Sequence, residues 1–148
     1  MKLKQLSLFL ENKPGALSRP IRALADAHCN ILTLSIADAS QFGILRLIVR
    51  DWERAQRVLE KAGLVVKVTD VVAVEVPDRP GGLADILDIL DKGWINVEFM
   101  YAFTEKRLDR GVLIFRFDDP DKAIGLLQKS GFNLEETVDW LTQKDRRT

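Results

Sequence analysis

The chain has 148 residues, of which 47% are hydrophobic and 30% are charged, and these proportions exclude a disordered or fibrous chain. Its 22 basic and 22 acidic residues give a formal net charge of zero. No bulk charge therefore attracts the chain to nucleic acid or to an anionic membrane, and we expect neither as a partner.

The N-terminal residues predict a strand, a turn and a helix in that order. Leucine alternates with other residues over 6–10, which is the period of a strand with one buried face. Residues 12–15, Asn-Lys-Pro-Gly, have the composition of a turn. The helix that follows contains Pro20, which predicts either a kink or a late start with Ser18 as the cap.

Two further strands, a second helix and a fourth strand follow. Residues 30–37 and 43–50 predict strands on either side of a loop. Asp51 is expected to cap the second helix, which stops at Gly63, and residues 64–68 predict the fourth strand. The order is that of a ferredoxin-like β-α-β-β-α-β unit.

The same signals recur in the second half of the chain, so the sequence contains an internal repeat. Residues 14–17, Pro-Gly-Ala-Leu, match residues 80–83, Pro-Gly-Gly-Leu, at an offset of 66. Further along the offset is 68, which places an insertion of two residues in the polar segment 104–110. Insertions accumulate in exposed loops, and we expect this segment to be one.

The repeat predicts an α+β fold of two tandem ferredoxin-like βαββαβ domains, residues 1–69 and residues 70–148, with antiparallel sheets packed together. One such unit is small for a stable fold. The segment Ile44–Val49 is apolar at both strand parities, apart from Arg46, as in strands that are covered on both faces. We therefore expect the copies to pack together and the chain to form a homodimer.

The repeated turn before the first helix of each copy carries the chemistry of a binding site. Its glycines, Gly15 and Gly81, allow the backbone to approach a ligand closely. The start of a helix offers free N–H groups to a carboxylate, and a polar side chain at Asn12 or Asp78 stands beside it. A free α-amino acid has a carboxylate and an ammonium group, and both can be satisfied here.

Both copies resemble the ACT domain family. The resemblance rests on Asn/Asp-x-Pro-Gly-x-Leu after a strand, in residues 12–17 and 78–83, and on Asn30-Ile31 and Asn96-Val97 at the second strand. Residues 36–46 and 72–83 are also similar to stand-alone tandem-ACT proteins of bacteria and archaea. The resemblance implies domains that associate through their sheets and effector amino acids bound where domains meet.

These observations together define a set of predicted ligand-binding residues. They are Asn12, Lys13, Pro14, Gly15, Ala16, Leu17, Asn30, Ile31, Asp38, Phe42, Asp78, Arg79, Pro80, Gly81, Gly82, Leu83, Asn96 and Val97.

Structural roles are open for several of these residues. The Pro-Gly pairs serve a tight turn in any case, and one copy can be purely structural. Asn30 and Asn96 follow helices, where asparagine suits a left-handed capping position. Asp38 and Phe42 are turn formers that can instead hold an ammonium group and cover an apolar side chain.

No catalytic, metal or cofactor site is predicted. His28 and Cys29 have no second histidine or cysteine to form a metal site with, so we interpret them as packing residues at a helix end. A lone cysteine and the lack of a signal peptide or long apolar run favour a cytoplasmic protein. The three tryptophans are expected in the core or at an interface, and the basic tail as a frayed end.

The sequence favours an amino-acid sensor that is not an enzyme, acting as a regulatory module. The alternative is a ligand-free dimerisation or scaffold protein that docks on a metabolic enzyme or transporter. An RNA-binding sheet needs exposed aromatic residues on its central strands, and Phe115 and Phe117 are the only counterparts. An enzyme is disfavoured because the chain has no Ser-His-Asp set and no phosphate-binding loop.

Overall fold

A computed structural model describes residues 1–104 and 108–143 of the chain. Within them the strands are β1 (Lys2–Glu11), β2 (Ile31–Ala39), β3 (Phe42–Val49), β4 (Val66–Pro77), β5 (Val97–Ala102) and β6 (Arg110–Phe117). The helices are α1 (Ser18–Asp26), α2 (Trp52–Lys61), α3 (Gly82–Lys92), α4 (Pro120–Lys129) and α5 (Leu134–Gln143). Residues 105–107 of the predicted inserted loop and the basic tail 144–148 lie outside the described residues.

The N-terminal unit, Lys4–Thr69, has the strand order β2-β3-β1-β4. Strand β3 pairs antiparallel with both β1 and β2, and Leu8 stands opposite Leu45. These leucines pack in one core with Leu24 of α1 and Leu59 of α2, and all four are fully buried. Both helices therefore cover the same face of the sheet, and each buried leucine stabilises the unit by about 1.5–3 kcal/mol.

The C-terminal unit contains the described residues from Asp70 onward together with Met1–Leu3. Strand β6 pairs antiparallel with β4 and with β5. The Lys2 ammonium lies 2.7 Å from the Asp121 carboxylate, and the hydrogen bond between them raises the pKa of Lys2. The Gln128 side chain also donates to the sulfur of Met1 at 2.9 Å. These contacts hold the first three residues in the second unit, which the repeat does not predict.

The predicted α+β class with two tandem ferredoxin-like units is confirmed, with one element different. The strands belong to one six-stranded sheet, in the order β2-β3-β1-β4-β6-β5, in place of two separate sheets. The second copy continues after α4 with helix α5 instead of a fourth strand. Asn133 caps this helix, because its side-chain oxygen accepts from the Glu136 backbone amide at 3.1 Å and its side-chain amide donates to the Glu136 carboxylate at 3.0 Å. A capping asparagine followed three residues later by a glutamate favours a helix start over a strand.

Helix α5 lies against the face of the second sheet that α3 and α4 leave uncovered. The Thr137 hydroxyl on α5 donates to the Glu75 carboxylate at 3.2 Å. Glu75 alternates along β4 with the core residues Val74 and Val76, so its side chain points to the opposite face. The second copy thus covers both faces of its sheet with its own helices.

Strand β4 is one continuous strand, Val66–Pro77, and replaces the predicted strand 64–68 and the first strand expected in the second copy. No glycine or proline interrupts the segment before Pro77, so nothing in it ends the first strand. The boundary between the two units falls inside this strand, between Thr69 and Asp70.

Helix α1 starts late, at Ser18, as one of the two interpretations of Pro20 predicts. The capping role of Ser18 is wrong, because the N-cap residue is Leu17 and it has no side-chain cap. Pro20 lies in the first turn, where a backbone N–H has no partner within the helix, so its ring is tolerated there. In the described part of the chain, no helix is both long and apolar enough to span a membrane.

Candidate functional site

The turn between β1 and α1 is held by backbone hydrogen bonds to its own residues and to the β2–β3 turn. The Asn12 amide donates to the Gln41 carbonyl at 2.8 Å, and the Ala16 amide donates to the Lys13 carbonyl at 3.3 Å. Gly15 has a φ of 86°, in the left-handed region that glycine adopts without strain. These hydrogen bonds and the glycine conformation fix the backbone of the turn.

The turn between β4 and α3 has the same backbone pattern in the second copy. The Asp78 amide donates to the Asp109 carbonyl at 3.3 Å, and the Gly82 amide donates to the Arg79 carbonyl at 3.1 Å. Gly81 also has a φ of 86°. The repeat is thus preserved in the hydrogen bonds of the loop as well as in its sequence.

Three backbone N–H groups at the start of α1 are available to a ligand. Among the described residues, the amides of Gly15, Leu17 and Ser18 make no hydrogen bond. Such orphan donors, together with the positive end of the helix dipole, attract a carboxylate. The start of α1 therefore has the donor groups on which the predicted anion binding depends.

A cleft of about 300 Å³ adjoins this turn. Strand register explains the space, because Leu10 and Asp38 both stand opposite Gly43, so the three residues form one row across β1, β3 and β2. The missing side chain at Gly43 leaves the floor of the cleft open. The lining residues are Leu10, Glu11, Asn12, Lys13, Leu17, Ile36, Asp38 and Gly43.

The polar groups of the cleft differ in the hydrogen bonds and ion pairs that they make. The Lys13 ammonium lies 2.7 Å from the Glu11 carboxylate, so these two charges compensate each other. The Asn12 side-chain amide donates to the Ser40 carbonyl at 3.3 Å, which leaves its oxygen as an acceptor. The Asp38 carboxylate, at the end of β2, adds a negative charge to the cleft.

The structure brings several predicted residues of the first copy to one place. Asn12, Lys13, Leu17 and Asp38 line the cleft. The residues 14–16 form the turn between two of these lining residues. Gly43 matches a glycine at 111 in the repeat, but its role as the floor of a cleft depends on strand register, which the sequence alone does not give.

Other predicted residues of the first copy lie elsewhere in the unit. Phe42 precedes Gly43 on β3, so its side chain is on the opposite face of the sheet and is not among the residues that line the cleft. Ile31, which follows Asn30, is seven residues from Asp38 along β2, about 23 Å at the usual rise of a strand. Asn30 and Ile31 therefore do not contribute to this cleft within one unit.

The predicted left-handed capping role of Asn30 and Asn96 is wrong. The left-handed residues after α1 and α3 are His28, with a φ of 54°, and Trp94, with a φ of 55°. Each lies just after the end of its helix, and the backbone amide of the next residue donates a hydrogen bond to a carbonyl in the last turn. Trp94 is 91% exposed, so it is not a core residue.

The second copy differs from the first in the side chains around its helix start. The Arg79 guanidinium pairs with the Asp85 carboxylate at 2.6 Å and donates to the Pro80 carbonyl at 3.0 Å. A Cβ atom at Gly82 would collide with the Pro77 carbonyl oxygen, so this glycine serves a close approach of helix and strand. Packing therefore requires glycine at position 82, whereas the equivalent position in the first copy accommodates Ala16.

The remaining predicted residues of the second copy lie in the turn, at the start of α3 and at the start of β5. Pro80 and Gly81 lie in the exposed turn, Leu83 is half-buried in the first turn of α3, and Val97 packs against the second core. The Asn96 amide donates to the Asp118 carboxylate at 3.0 Å, and its carbonyl accepts from the Asp118 amide at 3.2 Å. Asn96 thus ties the start of β5 to the end of β6.

The residues considered for metal binding and RNA binding lie in or against the hydrophobic cores. Cys29 is half-buried against the first core, and the described residues contain no group of three or more metal-ligating side chains. Phe115 and Phe117 are fully buried, with ring centroids 5.3 Å apart. These two rings are therefore not exposed for stacking with bases.

Comparisons with known proteins place the fold in a family. The family model of the ACT domain pair matches residues 1–144, and the chain belongs to that family. The chain is similar to protein BT0572 from Bacteroides thetaiotaomicron, at 37% identity and a TM-score of 0.84, covering 90% of this chain and 91% of that one. The resemblance to ACT domains is thereby confirmed. No curated protein matches the chain.

Regulatory subunits of aspartate kinase share the fold. The ligand-free form from Thermus thermophilus has 16% identity and a TM-score of 0.61, covering 86% of this chain and 92% of that one. The subunit from Thermus flavus also has 16% identity, with a TM-score of 0.60, and covers 85% of this chain and 90% of that one. At this identity the likeness concerns the fold.

Proposed function

We propose that this chain is a regulatory module that binds a free α-amino acid in the cleft beside α1 of its N-terminal unit. The observation that supports the proposal is that the start of α1, with unengaged amides at Gly15, Leu17 and Ser18, adjoins a cleft that Leu17 and the Asp38 carboxylate line. The amides suit the ligand carboxylate and Asp38 suits its ammonium group. The family supports a regulatory role without catalysis, since the chain is an ACT domain pair.

The size of the cleft and the apolar surface beside it fit a small effector. Its volume of about 300 Å³ is at the lower end of the range for small-molecule sites, about 300–1,000 Å³. Ile36 and Leu17 beside it are 53% and 39% exposed, so a bound molecule would cover apolar surface. A ligand that contacts both the turn and β2 would hold these two segments together. Binding would thereby change the conformation of the chain or its association with other molecules.

A homodimer belongs to the proposal, and the uncovered face of the first sheet supports it. Phe9 is 68% exposed and Phe42 is 51% exposed, on neighbouring strands of the face opposite the helices. In the second copy the residue equivalent to Phe9 is Glu75, which α5 covers. A second molecule is the occupant that would bury Phe9 and Phe42. We also propose that the protein acts in the cytoplasm.

The alternative function, a scaffold that docks on a metabolic enzyme or transporter, has one observation in its favour. Trp94 is 91% exposed and holds a φ of 55°, which a bulky residue adopts at a cost. Exposed tryptophans are common anchors of protein interfaces. The scaffold function predicts a protein partner and no small-molecule ligand.

A thermal-shift screen of the purified chain against the proteinogenic amino acids tests the proposal. A ligand that binds only the native state raises the melting temperature by mass action. A saturable rise with one amino acid or a few supports the sensor. If no amino acid raises the melting temperature at millimolar concentration, the sensor function is wrong and the scaffold function takes its place.

A further inference from the structure

The first helices of the two copies, α1 and α3, carry charges of opposite sign at equivalent positions. At the repeat offset of 66 the pairs are Arg19 with Asp85, Arg22 with Asp88, and Asp26 with Lys92. All six of these residues are exposed. Since none of them lies in a core, the burial of apolar surface within the chain does not explain the reversal.

The helical side of the N-terminal unit is basic. Helices α1 and α2 together contain five basic and three acidic residues. Arg22 and Arg57 are each two residues from a buried leucine, Leu24 or Leu59, which is about 200° around a helix, so both arginines face outward. Their side chains make no hydrogen bond or ion pair with a described residue. We call Arg22 and Arg57 the basic surface.

Two further arginines hold the helices of the basic surface side by side. The Arg19 guanidinium of α1 donates to the Ala62 carbonyl at the end of α2. The Arg54 guanidinium of α2 donates to the Ala27 carbonyl at the end of α1, at 2.7 Å. Neither guanidinium makes an ion pair with a described residue, so both add positive charge beside the basic surface.

Helix α3 of the second copy has an acidic surface that ends at a tryptophan. Asp88 and Asp91 are three residues apart, and residues at that spacing are neighbours on the surface of a helix. Trp94 follows three residues later, and its backbone amide donates to the Asp91 carbonyl at 3.0 Å. Both carboxylates are exposed and make no hydrogen bond or ion pair with a described residue. We call Asp88, Asp91 and Trp94 the acidic stripe.

The acidic stripe and the basic surface are complementary in chemistry. Carboxylates form charge-assisted hydrogen bonds with guanidinium groups, and the face of an indole attracts a guanidinium that lies over it. The Trp94 side chain is 91% exposed, so its ring is accessible to such a contact. Two carboxylates beside an indole therefore suit a partner that presents arginines.

A second molecule of the same chain is the partner that the charges favour. Every chain carries one basic surface and one acidic stripe, so the two are present in equal number. The formal net charge of zero leaves no overall repulsion between two molecules. Opposite charges on the two surfaces then favour one orientation of the molecules over others.

We infer that the acidic stripe of one molecule docks on the basic surface of a second molecule. The contact is heterologous, because it joins different surfaces of the two chains. It is separate from the proposed dimer interface, since Phe9 and Phe42 lie on the face of the first sheet opposite its helices. It requires no amino-acid ligand, so it goes beyond the proposed sensor function.

Sedimentation velocity of the full chain at low and high salt tests this contact. The Debye length falls from about 30 Å at about 0.01 M salt to about 3 Å at about 1 M, so an association between exposed charges weakens. The association constant is expected to fall about tenfold or more over this range. An association constant that does not change with salt would overturn the inference. The salt-sensitive step is expected to persist in Phe9→Glu protein, which distinguishes it from the sheet-face dimer.

Reversing the charges of each surface in turn locates the contact. One variant combines Arg22→Glu with Arg57→Glu, and the other combines Asp88→Lys with Asp91→Lys. Each variant alone is expected to lose about tenfold or more of the salt-sensitive association, because like charges would then face each other. An equimolar mixture is expected to regain the wild-type association constant within about threefold, because each variant keeps the surface that fits the other. A mixture that associates no better than the separate variants would overturn the inference.

A matched control separates the position of the charges from the net charge. Asp109→Lys with Asp139→Lys makes the same charge change at exposed aspartates outside α3 and is expected to leave association within about twofold. An equal loss in this control would overturn the assignment to the acidic stripe. Circular dichroism checks that all variants fold.

Trp94→Ala tests the part of the tryptophan in the contact. The substitution is expected to weaken association about two- to fivefold, the usual size of an exposed cation–π contact. An unchanged association constant in Trp94→Ala protein would overturn the place of the indole in the acidic stripe.

Discussion

The Asn12 side-chain amide donates a hydrogen bond of 3.3 Å to the carbonyl of Ser40, a residue with a φ of 63°. The Asn12 backbone amide donates to Gln41 as well, so one residue fixes the turn after β1 to the turn between β2 and β3. These are the two segments that border the cleft. Asn12 therefore has a structural role in addition to any contact with a ligand.

We predict that Asn12→Ala lowers the free energy of unfolding by about 0.5–1.5 kcal/mol, the usual net contribution of one hydrogen bond. Urea denaturation measures the change. Asn30→Ala is the matched control, because the Asn30 side chain is exposed and makes no hydrogen bond to a described residue. Equal effects of the two substitutions would contradict the structural role of Asn12.

Gly82→Ala is predicted to destabilise the protein by about 1–3 kcal/mol, although the first copy has alanine at the equivalent position. The new Cβ would collide with the Pro77 carbonyl oxygen, so helix and strand must move apart. Gly125→Ala is the control. Gly125 lies inside α4 with no described atom within 4 Å of where its Cβ would be, and its substitution is predicted to stabilise by about 0.5–1 kcal/mol.

Thermal denaturation of both glycine variants decides this prediction. A lower melting temperature for Gly82→Ala and a higher one for Gly125→Ala are expected. Two shifts in the same direction would show that the close approach at Pro77 is not the reason for the glycine.

Trp94→Gly is predicted to stabilise the isolated chain by about 0.5–1 kcal/mol. The left-handed conformation costs an L-residue about 1–2 kcal/mol, and glycine avoids this cost while losing more backbone entropy. The exposed indole contributes little packing, since it is 91% exposed. Gly131, with a φ of 92°, occupies the left-handed position after α4, and Gly131→Ala should destabilise.

Chemical denaturation measures the stability of the Trp94→Gly and Gly131→Ala variants. If Trp94→Gly lowers stability instead, the indole makes contacts that outweigh the backbone strain. If it stabilises the chain as predicted, the tryptophan is retained for a reason other than folding, as the scaffold alternative requires.

Phe9→Glu is predicted to weaken self-association without lowering stability by more than about 0.5 kcal/mol. The second copy has Glu75 at the equivalent place, and Phe9 is 68% exposed in one molecule. Analytical ultracentrifugation measures the monomer–dimer equilibrium. Val65→Glu, at another exposed apolar residue that is 86% exposed, serves as the control and should leave the equilibrium unchanged.

Unchanged association of Phe9→Glu protein would show that the open sheet face is not the dimer interface. A monomeric wild-type chain at all concentrations would contradict the dimer itself.

Much of the fold follows from local signals, because period, turn residues and caps agree in both copies. Asp51 caps α2 as its sequence position predicts, and Asp119 caps α4 in the same way. The last element differs from the prediction because the repeat implies a strand in a segment whose own signal, Asn133 followed by Glu136, is a helix start. A local capping pair here outweighs the pattern of the first copy.

The site could be predicted only in part. The turn and Asp38 are recognisable because a glycine, a helix start and a carboxylate have distinctive chemistry. The contributions of Leu10, Ile36 and Gly43 depend on which residues stand opposite each other across three strands. Strand register is a tertiary property, set by the packing of the whole sheet, and one sequence does not specify it.

The most direct test of the central claim is a set of amide NMR spectra of the isotope-labelled chain during titration with the amino acid that raises the melting temperature most in the thermal-shift screen. We predict that the largest chemical-shift changes occur at Gly15, Leu17 and Ser18, whose amides are free of hydrogen bonds to described residues at the start of α1. Smaller changes are expected at Gly81 in the second copy. Saturation with that amino acid that shifts Gly81 and its neighbours but not Gly15, or no shift anywhere at millimolar concentration, would contradict the proposed site.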